Sequence, residues 1–132
     1  MSKQVSSISQ KENIHRRAQW IQRFLDKQEG ILSTKNLQLL YNYNDDMIIH
    51  SLSENTRYKN LTHFGKLTKI IQKDWADITE KDIRSLVSGL MVKHGDNGKE
   101  TGYTAGLKIS IKSIVRFVKL GSTSKPEDGE LK

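Results

Sequence analysis

Lys59, Lys66, Lys69 and Lys73 recur at intervals that gather them on one side of a helix. On a wheel of about 100° per residue with Leu61 as origin, they fall between roughly 80° and 160°, with Asn55 and Thr62 among them. A second set, Lys108, Lys112, Arg116 and Lys119, does the same further along the chain. Measured from Leu107 it lies between roughly 100° and 180°. Neither stripe contains an acidic residue. Cations spaced along a rigid element suit a row of phosphates, and each contact would release a counterion. Thr56, Thr101 and Thr104 sit near expected helix starts, where a hydroxyl and free backbone N–H groups suit phosphate oxygens. Asn55 could read a base edge, and a plain polar residue in a first helical turn accounts for it equally well. An ordinary solvated face is the bland alternative for either stripe. Such faces usually mix charge signs to gain i,i+4 pairs, and two acid-free stripes in one chain weigh against it.

Other chemistry is scarce. The chain has no cysteine, which excludes disulfides, thiolate metal sites and cysteine nucleophiles. Its histidines, His15, His50, His63 and His94, have no zinc-motif spacing. His63 lies within the first basic segment, as a surface histidine or a further phosphate contact. Asp45 and Asp46 are adjacent, so on a helix they point about 100° apart and form no carboxylate dyad. Asp96-Asn97-Gly98 lacks the remaining ligands of a calcium loop. No nucleophile elbow, P-loop or dinucleotide fingerprint is present. The expectation is a chain that binds and does not catalyse, with no cofactor, no metal and no small-molecule substrate.

The net charge is +7 over 132 residues. The excess cations gather in residues 1–30, 53–74 and 99–120, and the second and third blocks are the two stripes. No leader-like apolar run opens the chain, and no stretch approaches the ~20 apolar residues of a membrane span. The expected protein is soluble and cytoplasmic, with no membrane partner.

The elements that must position the stripes read as helices throughout. Residues 1–11 read as a disordered arm. Residues 12–28 form an amphipathic helix with Ile14, Ala18, Trp20, Ile21, Phe24 and Leu25 on its apolar arc, ended by Gly30. Its Arg16, Arg23 and Lys27 lie near Trp20. That edge could touch DNA, dock a protein partner, or pack Trp20 onto the bundle. Ser33 or Thr34 caps a second helix through Leu37, Leu40, Tyr41, Tyr43, Met47 and Ile48. Asn44-Asp45-Asp46 is poor helix material within it.

Ser53 caps the first basic helix, 53–72, which buries Leu61, Phe64, Leu67, Thr68 and Ile71. Trp75 packs under the next connection. Thr79 with Asp82 forms a near capping box and opens a neutral helix through Ile83, Leu86, Val87, Leu90 and Met91. A turn at 94–98 follows. Thr101 starts the second basic helix, whose buried stripe is Tyr103, Leu107, Ile111, Ile114 and Val118. Residues 121–132 read as a linker or tail. The neutral helix is expected to hold the two basic ones apart.

Leu52-Ser53-Glu54-Asn55-Thr56-Arg57-Tyr58-Lys59-Asn60-Leu61, then Trp75, then Ile78-Thr79-Glu80-Lys81-Asp82-Ile83, then Thr101-Gly102-Tyr103-Thr104 leading to Lys112 and Phe117, form a series. It resembles the N-terminal core-binding domain of tyrosine recombinases, the phage-integrase and Xer-like site-specific enzymes, and looks most like the archaeal ones. The resemblance covers residues 33–120. It implies an all-α fold: an orthogonal four-helix SAM-like bundle, here with an additional N-terminal helix, spanning 12–120. Such a domain forms one half of a clamp on double-stranded DNA, with its second and fourth helices facing the major groove. Those helices correspond to 53–72 and 101–120.

The implied contacts are Asn55, Thr56, Lys59, Lys66, Lys69, Thr101, Thr104, Lys108, Lys112 and Arg116. Other recombinase subunits on the DNA are implied partners. The family's nucleophilic tyrosine and its Arg, Lys and His partners belong to a C-terminal domain, which would follow residues 121–132. Tyr41, Tyr43, Tyr58 and Tyr103 match nothing catalytic. The family often has an aromatic residue where this chain has Asn60. A helical protein-interaction module using Trp20, or a stand-alone DNA-binding regulator, are the competing readings.

Overall fold

The structure, a computed structural model, describes residues 17–97 and 99–122. It is all-α. Among the described residues five helices follow in order: α1 (17–28), α2 (Thr34–Ile49), α3 (Glu54–Ile71), α4 (Glu80–His94) and α5 (Gly102–Leu120). A single 3-10 turn, Trp75–Asp77, joins α3 to α4. Among the described residues there is no strand; one isolated bridge, Asp96 to Lys99, closes the α4–α5 turn. The N-terminal arm, the expected helical residues 12–16 and the tail beyond Ser122 lie outside the described residues.

Each helix after the first starts at a hydroxyl. Ser33 and Ser53 accept the backbone N–H groups of Asn36 and Thr56, both at 3.2 Å. Thr79 and Thr101 open full capping boxes with Asp82 and Thr104. Gly121 takes a left-handed φ of 72° as the C-cap of α5, a conformation that costs glycine little. At the end of α3 a non-glycine residue, Gln72, does the same with φ 51°. Gly30, expected as the stop of α1, lies just past it with no left-handed φ; the chain leaves through turn bonds at Glu29, Gly30 and Ile31.

α2 runs unbroken through Asn44-Asp45-Asp46. Asn44 is buried and its Oδ1 accepts from Arg57 Nη1 at 3.2 Å, so a partner from α3 outweighs the local preference against helix.

The core is centred on four aromatic rings. Tyr43 meets Phe64 and Phe117, with ring centroids 6.2 and 5.4 Å apart, and Phe64 stacks on Trp75 at 5.6 Å. Leu40, Met47, Leu61, Leu67, Leu107 and Ile114 close around them, fully buried. Trp75 is pinned from both ends. Its backbone N–H donates to Asn36 Oδ1 at 2.9 Å and its indole N–H to Thr68 Oγ1 at 2.7 Å. Burial pushes the Tyr43 hydroxyl up to about 12, and Ser113, 2.8 Å away, is its hydrogen-bond partner.

Tyr103 is corrected as a buried position, and three residues of the expected apolar arcs are open. Ala18 is exposed. Trp20 is 44% exposed, with one face against Tyr58 at 5.8 Å. Ile48 is half exposed near the end of α2, and Tyr103 is 41% exposed. Tyr103 lies on the apolar side of α5 but in its first turn, where the core gives way to the Lys66 side chain and the His94 ring. Phe117, absent from the expected stripe, is buried near the other end of α5, against Tyr43.

Candidate nucleic-acid interface

α3 and α5 touch directly. His63 Nδ1 lies 2.6 Å from Ser110 Oγ, and Lys66 Nζ donates to the Tyr103 hydroxyl at 2.8 Å. As the residue number rises on α3 it falls on α5, so the pair runs antiparallel. This corrects the expectation that the neutral helix holds them apart. α4 packs beside α5, and also against α3.

The stripes point in different directions around this pair. On the α3 wheel His63 lies at roughly 200°, so the lysine row at 80–160° abuts the α5 side. On the α5 wheel Ser110 and Tyr103 lie at roughly 300–320°, so Lys108, Lys112 and Arg116 turn well away from α3. Lys112, Arg116 and Lys119 instead border a groove of about 460 Å³ shared with Ile83 of α4. Lys66, Lys69 and Lys73 border another, between α3, α1 and α2.

Individual candidates fare differently. Asn55, Thr56, Lys59, Lys66, Lys69 and Lys112 are exposed, and Arg116 is half-buried. Lys66 also stands over the Tyr103 ring, 5.2 Å from its centroid. Thr104 is corrected: it is 1% exposed, its Oγ1 accepts the Thr101 N–H at 2.8 Å, and it donates to the Thr101 carbonyl at 3.0 Å. It cannot reach a phosphate. Thr101 is half-buried and its hydroxyl accepts the Thr104 N–H, so it too serves the cap.

The stripes are free of acids along their own helices, yet neighbouring elements supply them. Lys108 pairs with Glu100 at 2.8 Å. Lys73 pairs with Asp82 at 2.8 Å. The Lys73 hydrogen bond, followed by those from Thr79, holds the Asp82 carboxyl down at about 2.

No family model, no curated protein and no solved structure matched this chain. The chemistry of the site therefore rests on its own residues. Among the described residues no cluster of His, Asp and Glu could hold a metal ion, and no helix is long and apolar enough to cross a membrane.

Sequence reasoning missed three participants. His63 is the clip between the basic helices; burial, then the charges of Lys59 and Lys66, push its ring below the usual histidine range. Tyr103 holds Lys66 in place. Asn60 is buried and donates to Met47 Sδ at 3.5 Å, a polar side chain where an aromatic was the expected type. His63 carried a readable signal, because it lies between the lysine stripe and the buried face on the wheel.

Proposed function

We propose that this chain is a duplex-DNA-binding domain of the kind that tyrosine recombinases use to hold their core site. In this reading α2–α5 form the SAM-like bundle and α1 is the added helix. The chain binds in the cytoplasm, alongside other recombinase subunits on the DNA. Strand exchange would belong to a separate catalytic domain.

The observation that carries the proposal is the direct, antiparallel locking of the two basic helices. Lys59, Lys66 and Lys69 on one and Lys112 and Arg116 on the other thereby become two fixed rows of cations on different sides of the pair, each spaced along a rigid element. The resemblance over residues 33–120 adds to it. Asn55 and Thr56 are the base-edge and first-turn contacts; Lys108 contributes once it leaves Glu100.

Titration of a core-site duplex at two salt concentrations tests the proposal. Five phosphate contacts give a log–log salt slope of about −4 to −5, or roughly 500-fold weaker binding between 50 and 200 mM salt. Lys66→Glu and Lys112→Glu should each weaken it further. Absence of binding at low salt, or association indifferent to salt, would overturn the reading and favour the protein-interaction alternative.

A further inference from the structure

α1 closes onto α3 at Gly65. A Cβ there would stand 2.9 Å from the Phe24 ring, so any larger residue would push that ring back from the helix. Towards α2 the helices part, and a groove of about 760 Å³ opens. That is within the roughly 300–1,000 Å³ of small-molecule sites. Phe24, Ile31 and Leu32 form an apolar wall, and Lys66 and Lys69 stand on the α3 rim.

Gln28 lines this groove and is only 7% exposed. Its backbone carbonyl accepts from Ile31 and Leu32, both at 3.0 Å, but its side-chain amide meets no partner among the described residues. Neighbouring buried polar groups are matched. Asn36 donates to the Lys73 carbonyl and accepts from Trp75, and Thr68 bridges Phe64 and Trp75. The Gln28 amide therefore stays open to the groove, where a ligand can replace the water that meets it.

We propose that the groove binds a nucleoside phosphate. The base lies against Phe24, and the Gln28 carboxamide reads its edge. A carboxamide presents one donor and one acceptor in a plane, which matches the N6 and N7 positions of adenine. Lys69, which makes no ion pair among the described residues, takes the phosphate with Lys66. Lys73 is engaged by Asp82, and Asp74, whose Oδ1 accepts from Ser33 Oγ at 2.6 Å, keeps the anion away from the α2 end. The inference rests on the groove and does not depend on the duplex reading. The nucleotide can be free or part of an unpaired strand.

Calorimetric titration of the whole chain with dAMP, inorganic phosphate, a blunt duplex and the same duplex with an unpaired dA overhang tests it. Saturable dAMP binding, weakened at least tenfold by both Gln28→Leu and Gln28→Glu, supports a free nucleotide. A tenfold loss confined to the overhang duplex, with the blunt duplex unchanged, supports a strand-borne one. Both Gln28 variants should stay folded, because the amide bonds to no other described residue; circular dichroism checks this. If phosphate alone binds as tightly as dAMP, or neither Gln28 variant changes either affinity, the proposal is overturned. In that event blunt-duplex binding still reports separately on the basic helices.

Discussion

α3 and α5 wear similar cation stripes and are built differently underneath. α5 buries Leu107, Ile111, Ile114 and Phe117, with Thr104 and Ser110 as its buried polar side chains. α3 buries Leu61, Phe64 and Leu67 together with Asn60 and Thr68, and half-buries His63. Each of those polar groups bonds to a different element: Asn60 to α2, Thr68 to Trp75, His63 to α5. Apolar burial is non-directional, whereas hydrogen bonds weaken steeply with angle. α5 bonds across elements too, Ser110 to His63, Ser113 to Tyr43 and Tyr103 to Lys66, so both helices combine area with bonds, and α3 does so with the smaller apolar face. On α3 the core itself sets the direction of the lysine row.

The sharpest way to break this contrast is to cut into α5. Ile114→Ala should cost about 2–5 kcal/mol in denaturant unfolding, as a cavity at a fully buried site. The folded fraction should still bind duplex with parental affinity. Next, Thr68→Val on α3 keeps the volume but strands the Trp75 indole N–H, at a cost of about 1–3 kcal/mol. If that loss is absent, α3 is held by area alone. Third, Lys66→Ala and Lys112→Ala should each reduce the salt slope of duplex binding by about 1, read from anisotropy titrations. A change in only one of them would mean that a single helix carries the contact.

The smallest effect concerns the clip between the helices. His63 is held below its ordinary value, so the unfolded chain takes up a proton at higher pH than the folded one. Stability from this group is complete above about pH 6.5, the unfolded value, and is lost as pH falls through the lower folded one. Melting temperature should decline more on acidification from pH 7.5 to 5 in the parent than in His63→Gln.

What could be read beforehand follows the range of the forces involved. Caps are local, and Ser33, Ser53, Thr79 and Thr101 were legible from hydroxyls placed before apolar periodicity. The stripes were legible because helical spacing alone creates them. Pairings across the fold were not: Glu100 and Asp82 reach Lys108 and Lys73 from a turn and from another helix. The burial of Thr104 was half legible, since it lies about 60° from Leu107 on the apolar side. Its hydroxyl suited a phosphate equally well until the capping geometry was seen. Gln28 had a signal that went unread. It sits seven residues after the buried Ile21, almost the same direction on α1.

Trp75 and Trp20 are the chain's two indoles, one sealed in the core and one open at the α1–α3 seam. They divide its fluorescence into two addresses. Acrylamide should quench the red-shifted emission of Trp20 at once and reach the blue-shifted emission of Trp75 only when the bundle opens. Without any added label, the protein can thus report whether α1 lets go before the rest.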